Sequence, residues 1–225
     1  MPAPDGAVDD EAAVTAVDPP AAATSRGART AARLRAAAKE AFDELGWSGT
    51  RVEDVVRRAG VSHGTFYTYY ENKAALLADL VENSQADITA LASEPWGSID
   101  VRGALEAVIG GFLDRYARDV VVMRVWLEAA RDERTFADLY LASRALFVDR
   151  VAENVSAVAQ ASGRTGGPPA TTIASTLVAM VEHVAYCWLV LGEHHEREDV
   201  LNSVVTVWGS TLNALAGFEV VDLTP

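Results

Sequence analysis

The stretch from Thr50 to Lys73, TRVEDVVRRAGVSHGTFYTYYENK, decides the fold, because it predicts two short helices joined by a tight turn. Thr50 and Glu53 have the spacing of a capping box, in which a hydroxyl and a carboxylate each accept an unpaired amide at a helix start. Gly60 follows the first helix, where a left-handed residue ends helical winding. Ser62 then caps the second helix. The stretch is therefore typical of a helix-turn-helix.

The second helix of this pair has an apolar side and a polar side. Phe66 and Tyr70 are four residues apart, so they lie on one face and can point into a core. The remaining surface is polar and aromatic and carries His63, Thr65, Tyr67, Thr68 and Tyr69. Such a helix suits the major groove of DNA, with small side chains near base edges and phenols near phosphates.

The residues from Ala59 to Lys73, AGVSHGTFYTYYENK, resemble the signature of the TetR family of transcriptional repressors. The turn, the cap, the aromatic positions and the terminal lysine all agree with that signature. One departure is the pair Val55 and Val56, where the family often has Ile-Ala. The resemblance implies an all-α fold of about nine helices, in which three helices form a helix-turn-helix domain. The remaining helices would form a helical-bundle domain for ligand binding and dimerisation.

The resemblance also assigns roles by position in the motif. Base-edge contacts are implied for Ser62, His63, Gly64 and Thr65, and Gly64 would allow close approach to the DNA. Phosphate contacts, which position a helix without specifying sequence, are implied for a second set of residues: Thr50, Tyr67, Tyr69 and Lys73.

The net charge of −13 looks unfavourable for binding DNA until it is divided along the chain. Residues 1–23 hold five acidic and no basic residues, residues 24–73 hold nine basic and six acidic residues, and residues 74–225 hold ten basic and 21 acidic residues. Positive charge is thus concentrated around the helix-turn-helix, where phosphate neutralisation requires it. The rest of the molecule would repel DNA and favour one docking face.

Composition and periodicity predict three segments. Residues 1–25 are rich in Ala, Pro and Asp and predict a disordered acidic tail; residues 26–73 form the DNA-binding domain; residues 74–225 form the ligand and dimer domain. Apolar spacing predicts further helices at residues 30–45, 72–95, 99–118, 120–131, 135–162, 169–191 and 198–216, with no strand pattern. Gly46 is expected to end the helix over residues 30–45.

The domain over residues 74–225 carries many aromatic residues, and aromatic walls with a few polar groups are typical of small-molecule sites in helical bundles. Each single aromatic side chain is more often ordinary core than a ligand contact. His183, Glu182, Tyr186, Asn154 and Arg124 are polar candidates. The predicted ligand-binding residues are Phe112, Tyr116, Trp126, Phe147, His183, Tyr186 and Cys187, the last being the only cysteine.

Two other classes of function compete with a ligand-gated regulator. An enzyme would use the cluster Glu193, His194, His195, Glu196 and Glu198, but adjacent histidines point to different helix faces and no H-E-x-x-H spacing occurs. The chain also lacks a phosphate-binding glycine loop and a G-x-S-x-G motif. No catalytic residue, metal or cofactor is therefore predicted. The second competitor, a constitutive DNA-binding dimer without an effector, stays open.

The sequence therefore predicts a homodimeric DNA-binding regulator. We expect a repressor that a small, largely hydrophobic effector releases from a palindromic double-stranded DNA operator. In the family, the last two long helices usually form a four-helix bundle across the dimer axis. No apolar run of bilayer-spanning length and no signal-peptide pattern was found in the sequence, so we expect a cytoplasmic protein with no membrane partner.

Overall fold

The computed structural model describes residues 25–92, 100–161, 163 and 166–223. The predicted tail, apart from Ser25, and the end of the helix predicted over residues 72–95 lie outside these residues. The described residues form nine α-helices and no strand, as predicted. The helices are α1 (Ser25–Gly49), α2 (Val52–Ala59), α3 (His63–Tyr69), α4 (Lys73–Ala92), α5 (Val101–Arg118), α6 (Val120–Asp132), α7 (Arg134–Ala161), α8 (Ala170–Leu189) and α9 (Arg197–Ala216).

The first helix differs most from its prediction. It begins at Ser25, five residues earlier than expected, and continues to Gly49 across a kink at Gly46. Gly46 has φ 67° and ψ −177°, a conformation open almost only to glycine. The kink interrupts the series of backbone hydrogen bonds in the helix, and the freed amide N–H of Trp47 donates to Glu128 Oε2 at 2.9 Å. Gly46 therefore ends the first helical run, as predicted, and a short second run beside α6 continues to Gly49.

The predicted capping box of Thr50 and Glu53 is wrong. The residue that caps α2 is Arg51, whose amide donates to Asp54 Oδ2 at 3.1 Å. Thr50 is buried, and its hydroxyl donates to the Gly46 carbonyl at 2.7 Å, with the Ala41 carbonyl also within reach at 3.2 Å. A buried hydroxyl needs such a partner, and this one ties the start of α2 to the end of α1.

The helix-turn-helix itself is confirmed. Gly60 adopts the left-handed conformation at φ 63°, and the Ser62 hydroxyl accepts the amide of Thr65 at 3.1 Å. Phe66 and Tyr70 are buried as predicted. They share a closed core with apolar side chains of α1, α2 and α4, among them Leu34, Phe42, Val55, Leu76 and Leu77.

The remaining helices pack around α5. Leu105, Ile109 and Leu113 of α5 are buried, as are Trp208 and Leu212 of α9, which packs against it. Helices α7 and α8 pack extensively against each other. Helix α7 also contacts α9, and α8 also contacts α5. The buried side chains of these helices, here called the second core, are continuous with those of the helix-turn-helix through α4 and α6.

Helix α8 is, by length and composition alone, apolar enough to span a membrane, contrary to the sequence expectation. The core helix of a globular protein passes the same test. Its buried side chains, including Ala174, Leu177 and Val181, are packed against other helices, and Glu182 and His183 interrupt its length. Only 28% of this apolar window is buried within the described chain, so most of α8 is partly or fully exposed.

Candidate functional site

The first turn of α3 forms a small polar surface. Ser62, His63 and Gly64 are exposed, and the Ser62 and Thr65 hydroxyl oxygens lie 3.0 Å apart. No bulky side chain covers Gly64, because a Cβ added there would meet only Ser62 Oγ, at 3.8 Å. The four predicted base-edge residues therefore lie side by side at the start of one short helix.

His63 has a neighbour that the sequence analysis did not consider. Its Nε2 lies 3.6 Å from Glu53 Oε1 of α2, and both side chains are more than half exposed. This distance exceeds that of a hydrogen bond. The imidazole is thus free to turn outward.

The four predicted phosphate-binding residues occupy different environments. Tyr67 is 57% exposed, whereas Tyr69 is half-buried against the core. Thr50 is buried, and its hydroxyl is directed at α1 carbonyls, so its side chain faces away from the α3 surface. Lys73 Nζ donates to the carbonyls of Trp47 at 2.7 Å and Thr50 at 3.0 Å. The phosphate roles of these residues stay predictions.

Lys73 also lies over an aromatic ring. Its ammonium is 4.3 Å from the ring centroid of Trp47, a cation–π distance. Burial lowers the pKa of Lys73, although the charge of Glu133 opposes this shift. The ammonium retains one N–H after its two backbone bonds. Lys73 therefore fastens the start of α4 to the α1–α2 connection.

Several arginines around the helix-turn-helix have internal partners. Arg35 Nε lies 2.6 Å from Asp79 Oδ2, which also accepts the Tyr70 hydroxyl at 2.7 Å. Arg58 pairs with Glu44. The count of nine basic residues therefore overstates the charge available to phosphates, which the sequence could not show because these partners are 14 to 44 residues away.

A cavity of about 720 Å³ lies between α5, α6, α7 and α8. It contains six of the seven predicted ligand-binding residues: Phe112, Tyr116, Trp126, Phe147, His183 and Tyr186. Cys187 is outside the lining, with its Sγ 3.5 Å from His183 Nε2. Trp126 and Tyr140 meet edge to face at a centroid distance of 5.3 Å, so the walls are largely aromatic.

One wall of the cavity is polar. Arg144 of α7 donates from Nε to Glu182 Oε2 at 2.9 Å, from Nη1 to Ser175 Oγ at 3.1 Å, and from Nη2 to the Ser175 carbonyl at 2.7 Å. Burial raises the pKa of Glu182, and the bond from Arg144 opposes that shift. Burial also raises the pKa of Tyr140 to about 12.

Sequence reasoning identified Glu182 and missed Arg144. The two residues are 38 positions apart on different helices, so no local spacing connects them. The other polar candidates lie elsewhere: Arg124 Nη2 lies 3.0 Å from Asp43 Oδ1 of α1, and Asn154 donates to the Arg150 carbonyl.

A set of polar contacts, here called the junction, joins α1 to the second core. Asp119 accepts Lys39 Nζ of α1 at 2.7 Å and the Ser84 hydroxyl of α4 at 3.2 Å, and it lies 2.8 Å from Arg115 Nε. The remaining contacts are the Arg124–Asp43 ion pair and the bond from the Trp47 amide to Glu128. Helix α6 therefore faces the cavity on one side and α1 on the other.

The loop after α8 does not assemble a metal site among the described residues. Glu193, His194, His195 and Glu196 are all exposed, and His195 Nε2 lies 3.2 Å from Glu193 Oε2. Within the described ranges, no group of three or more His, Cys, Asp or Glu side chains is arranged to hold an ion.

Comparison with known proteins agrees with this geometry. Residues 34–80 match the model of bacterial regulatory proteins of the tetR family, and residues 105–214 match that of the C-terminal domain of the transcriptional regulator EthR. The HTH-type transcriptional regulator BetI of Escherichia coli is 33% identical over 97 residues, which are 39% of this chain and 47% of BetI. The chain thus spans about half the length of the curated relatives that it matches.

Solved structures show the same fold. A putative TetR-family regulator from Syntrophomonas wolfei has a TM-score of 0.68 at 17% identity and covers 82% of this chain and 95% of its own. Salmonella enterica GusR has a TM-score of 0.66 at 17% identity, covering 87% and 99%. Bacillus subtilis FadR, solved with stearoyl-CoA, has a TM-score of 0.65 at 17% identity, covering 78% and 96%. With both domains matched in their expected order, the chain belongs to the TetR family of transcriptional regulators.

Proposed function

We propose that this protein is a homodimeric repressor that binds a palindromic DNA operator and is released when a small molecule enters the cavity. The observation that carries the proposal is the arrangement of α6, which lines the cavity with Trp126 and contacts α1 through Arg124 and Glu128. A change in the cavity has a short physical route to the helix-turn-helix. This family is generally non-enzymatic, in line with the predicted absence of catalysis.

DNA recognition is assigned to the first turn of α3. Ser62, His63, Gly64 and Thr65 are proposed to face base edges, with Tyr67, Tyr69 and Lys73 toward phosphates. The bonds of Lys73 to two carbonyls leave its charge and one N–H for a phosphate. The Thr50 hydroxyl faces α1 and not the α3 surface. Any contact of Thr50 with DNA would therefore come from its backbone.

Dimerisation is assigned to α8 and α9. Val207 on α9 is 46% exposed, and Phe218 just beyond its end is 57% exposed, so a partner subunit would cover apolar surface here. A two-fold dimer would present two α3 helices to the two halves of an operator. We place the protein in the cytoplasm, where the operator would be.

Release would follow from a shift in population. A ligand that binds better to one arrangement of α4 and α6 favours that arrangement, and it can shift the equilibrium only by its difference in affinity. In the described state, Lys73 and the junction hold these helices to α1. We propose that the ligand-bound arrangement moves the two α3 helices away from the spacing of the operator.

A fluorescence-anisotropy titration tests this function. The full chain is titrated against the DNA upstream of its own gene at several salt concentrations and with a panel of small molecules. We expect tight, salt-dependent binding that at least one compound abolishes. Binding that no compound affects would favour a constitutive DNA-binding dimer, and no binding at low salt would contradict the assignment to DNA.

A further inference from the structure

We propose that the cavity binds a lipophilic organic cation, with its cationic group against Glu182 and its apolar body along the aromatic walls. This inference rests on the proposed function, because it names the chemical class of the effector for the same cavity. Its support comes from the polar wall, from the aromatic rings of the cavity lining and from the charge of the whole domain.

The polar wall offers a carboxylate to a cationic ligand. Arg144 donates to Glu182 and to Ser175 with three of its five N–H groups. A carboxylate can accept about four hydrogen bonds, and at Glu182 Arg144 and the Tyr140 hydroxyl take two of them. The Glu182 carboxylate therefore keeps about two acceptor positions for a ligand.

An anionic ligand would meet an energetic obstacle at the same place. If it displaced Glu182 from Arg144, it would leave a buried carboxylate without its counter-ion, which is strongly destabilising. Burial already raises the pKa of Glu182, so its charged form is short of stabilisation. An added cation supplies that stabilisation and leaves the bonds from Arg144 to Ser175 intact.

Aromatic rings line the cavity together with this carboxylate. They include the rings of Tyr116, Tyr140 and Tyr186. Burial raises the pKa of Tyr116 and of Tyr140, so both phenols stay neutral. The faces of neutral phenol rings attract a cation within about 6 Å. Three rings and one carboxylate thus form a site suited to a desolvated positive charge.

The net negative charge of the whole domain also favours a cationic ligand. Residues 74–225 hold 21 acidic and ten basic residues, so the potential around the cavity favours the approach of cations. Arg131, the other arginine of the lining, is exposed, and solvent screens its charge.

The test uses three probes that share a ten-carbon chain and differ in head-group charge: decyltrimethylammonium, decan-1-ol and decanoate. Each is titrated into the full-length protein by isothermal calorimetry, below its micelle concentration. We expect decyltrimethylammonium to bind at least about tenfold more tightly than decanol, and decanoate to bind most weakly. Equal or tighter binding of decanol or decanoate would overturn the proposal.

A substitution at Glu182 tests whether this carboxylate binds the cationic head group. Glu182→Gln should weaken decyltrimethylammonium binding at least about tenfold and strengthen decanoate binding, because Arg144 then lacks its anion. Glu193→Gln, in the exposed loop after α8, is the matched control and should change neither affinity. Unchanged ammonium binding in a folded Glu182→Gln protein would contradict the proposal.

A second variant covers the case in which Glu182→Gln fails to fold. Tyr186→Leu removes one ring but keeps an apolar side chain, so it should weaken the ammonium probe several-fold and leave decanol binding nearly unchanged. Equal losses for both probes would contradict a cation site. Circular dichroism melting establishes that each variant is folded.

The calorimetry separates this inference from the proposed function, because it needs no DNA. If only decanol or decanoate binds the cavity and releases the operator, the ligand-gated repressor stands and the cation site fails. If decyltrimethylammonium binds as expected but leaves operator affinity unchanged, the cation site stands and ligand gating fails.

Discussion

The two cores of this molecule are packed differently. In the helix-turn-helix, Leu34, Phe42 and Phe66 have no exposed surface, and they form a closed core. The helices α5 to α8 instead leave a cavity of about 720 Å³ with an ion pair in its wall. A closed core transmits strain with little compression, whereas a cavity can change shape with its contents. The difference agrees with the proposed division into a rigid part that reads DNA and an adjustable part that receives the ligand.

The test with the largest expected effect removes one aromatic ring from each core. Phe66→Ala should lower the free energy of unfolding by about 3–5 kcal/mol, because the closed core cannot collapse around the space. Phe147→Ala, on the cavity wall, should cost less than about 2 kcal/mol, because Phe147 is half-buried and already faces open volume. Urea unfolding of the full chain measures both. Equal costs would show that the two cores are packed alike.

A second test removes the Asp119 carboxylate from the junction between α1 and the second core. Asp119→Asn should lower the free energy of unfolding by about 2–3 kcal/mol at pH 7, because Lys39 and Arg115 lose their shared anion. Thermal melts of the two proteins at matched pH values measure this difference. Ser48→Ala, which removes an exposed hydroxyl 3.3 Å from Asp132, is a control that should change little.

The junction variant also predicts a pH dependence. Burial raises the pKa of Asp119, but the hydrogen bond and charge of Lys39 and the charge of Arg115 outweigh it and hold the pKa below 3.8. The folded-state pKa is thus depressed, so the stabilisation is present above about pH 4 and is lost as pH falls through the folded value. The difference between wild type and Asp119→Asn should shrink only below about pH 4. A difference that shrinks near neutrality would contradict this origin.

A third test separates DNA reading from stability. Gly64→Ala should be tolerated in the free protein, because the added Cβ has ordinary contacts and alanine favours a helix by about 0.5–1 kcal/mol over glycine. On DNA, the methyl group would stand where close approach is proposed, so affinity should fall by about tenfold or more. Melting and anisotropy give the two readouts. Unchanged DNA affinity would exclude Gly64 from the interface.

The smallest expected effect distinguishes phosphate contacts from base contacts. Lys73→Ala should weaken binding to all DNA sequences and reduce the slope of log affinity against log salt by about one. It should also lower thermal stability, because two carbonyls lose their donor. His63→Ala should instead change the preference among operators. An unchanged salt slope for Lys73→Ala would assign this lysine to structure alone.

The helix-turn-helix could be predicted from sequence because its signals are local. The left-handed Gly60, the cap at Ser62 and the four-residue spacing of Phe66 and Tyr70 each depend on neighbours within one turn. The capping residue of α2 was mispredicted because the motif of Thr50 and Glu53 considers only local spacing. In the fold, the Thr50 hydroxyl bonds to carbonyls of α1 instead.

The cavity could be predicted only in outline. Aromatic residues at helical spacing indicated a site, and six of the proposed residues do line one cavity. Its polar wall depends on Arg144 meeting Glu182 across two helices, a contact between distant positions that no single-sequence pattern encodes. The junction at Asp119 was missed for the same reason, since Lys39 lies 80 residues away.

The most direct test of the account fills the cavity without any ligand. Ala130 lies in the cavity lining on α6, and Ala130→Trp would place a large side chain there. Operator affinity of this variant is compared with wild type by fluorescence anisotropy, with circular dichroism as the check on folding. The account predicts a fall of about tenfold or more, as an effector would produce. Unchanged operator affinity in a folded, cavity-filled protein would contradict the coupling of cavity and helix-turn-helix.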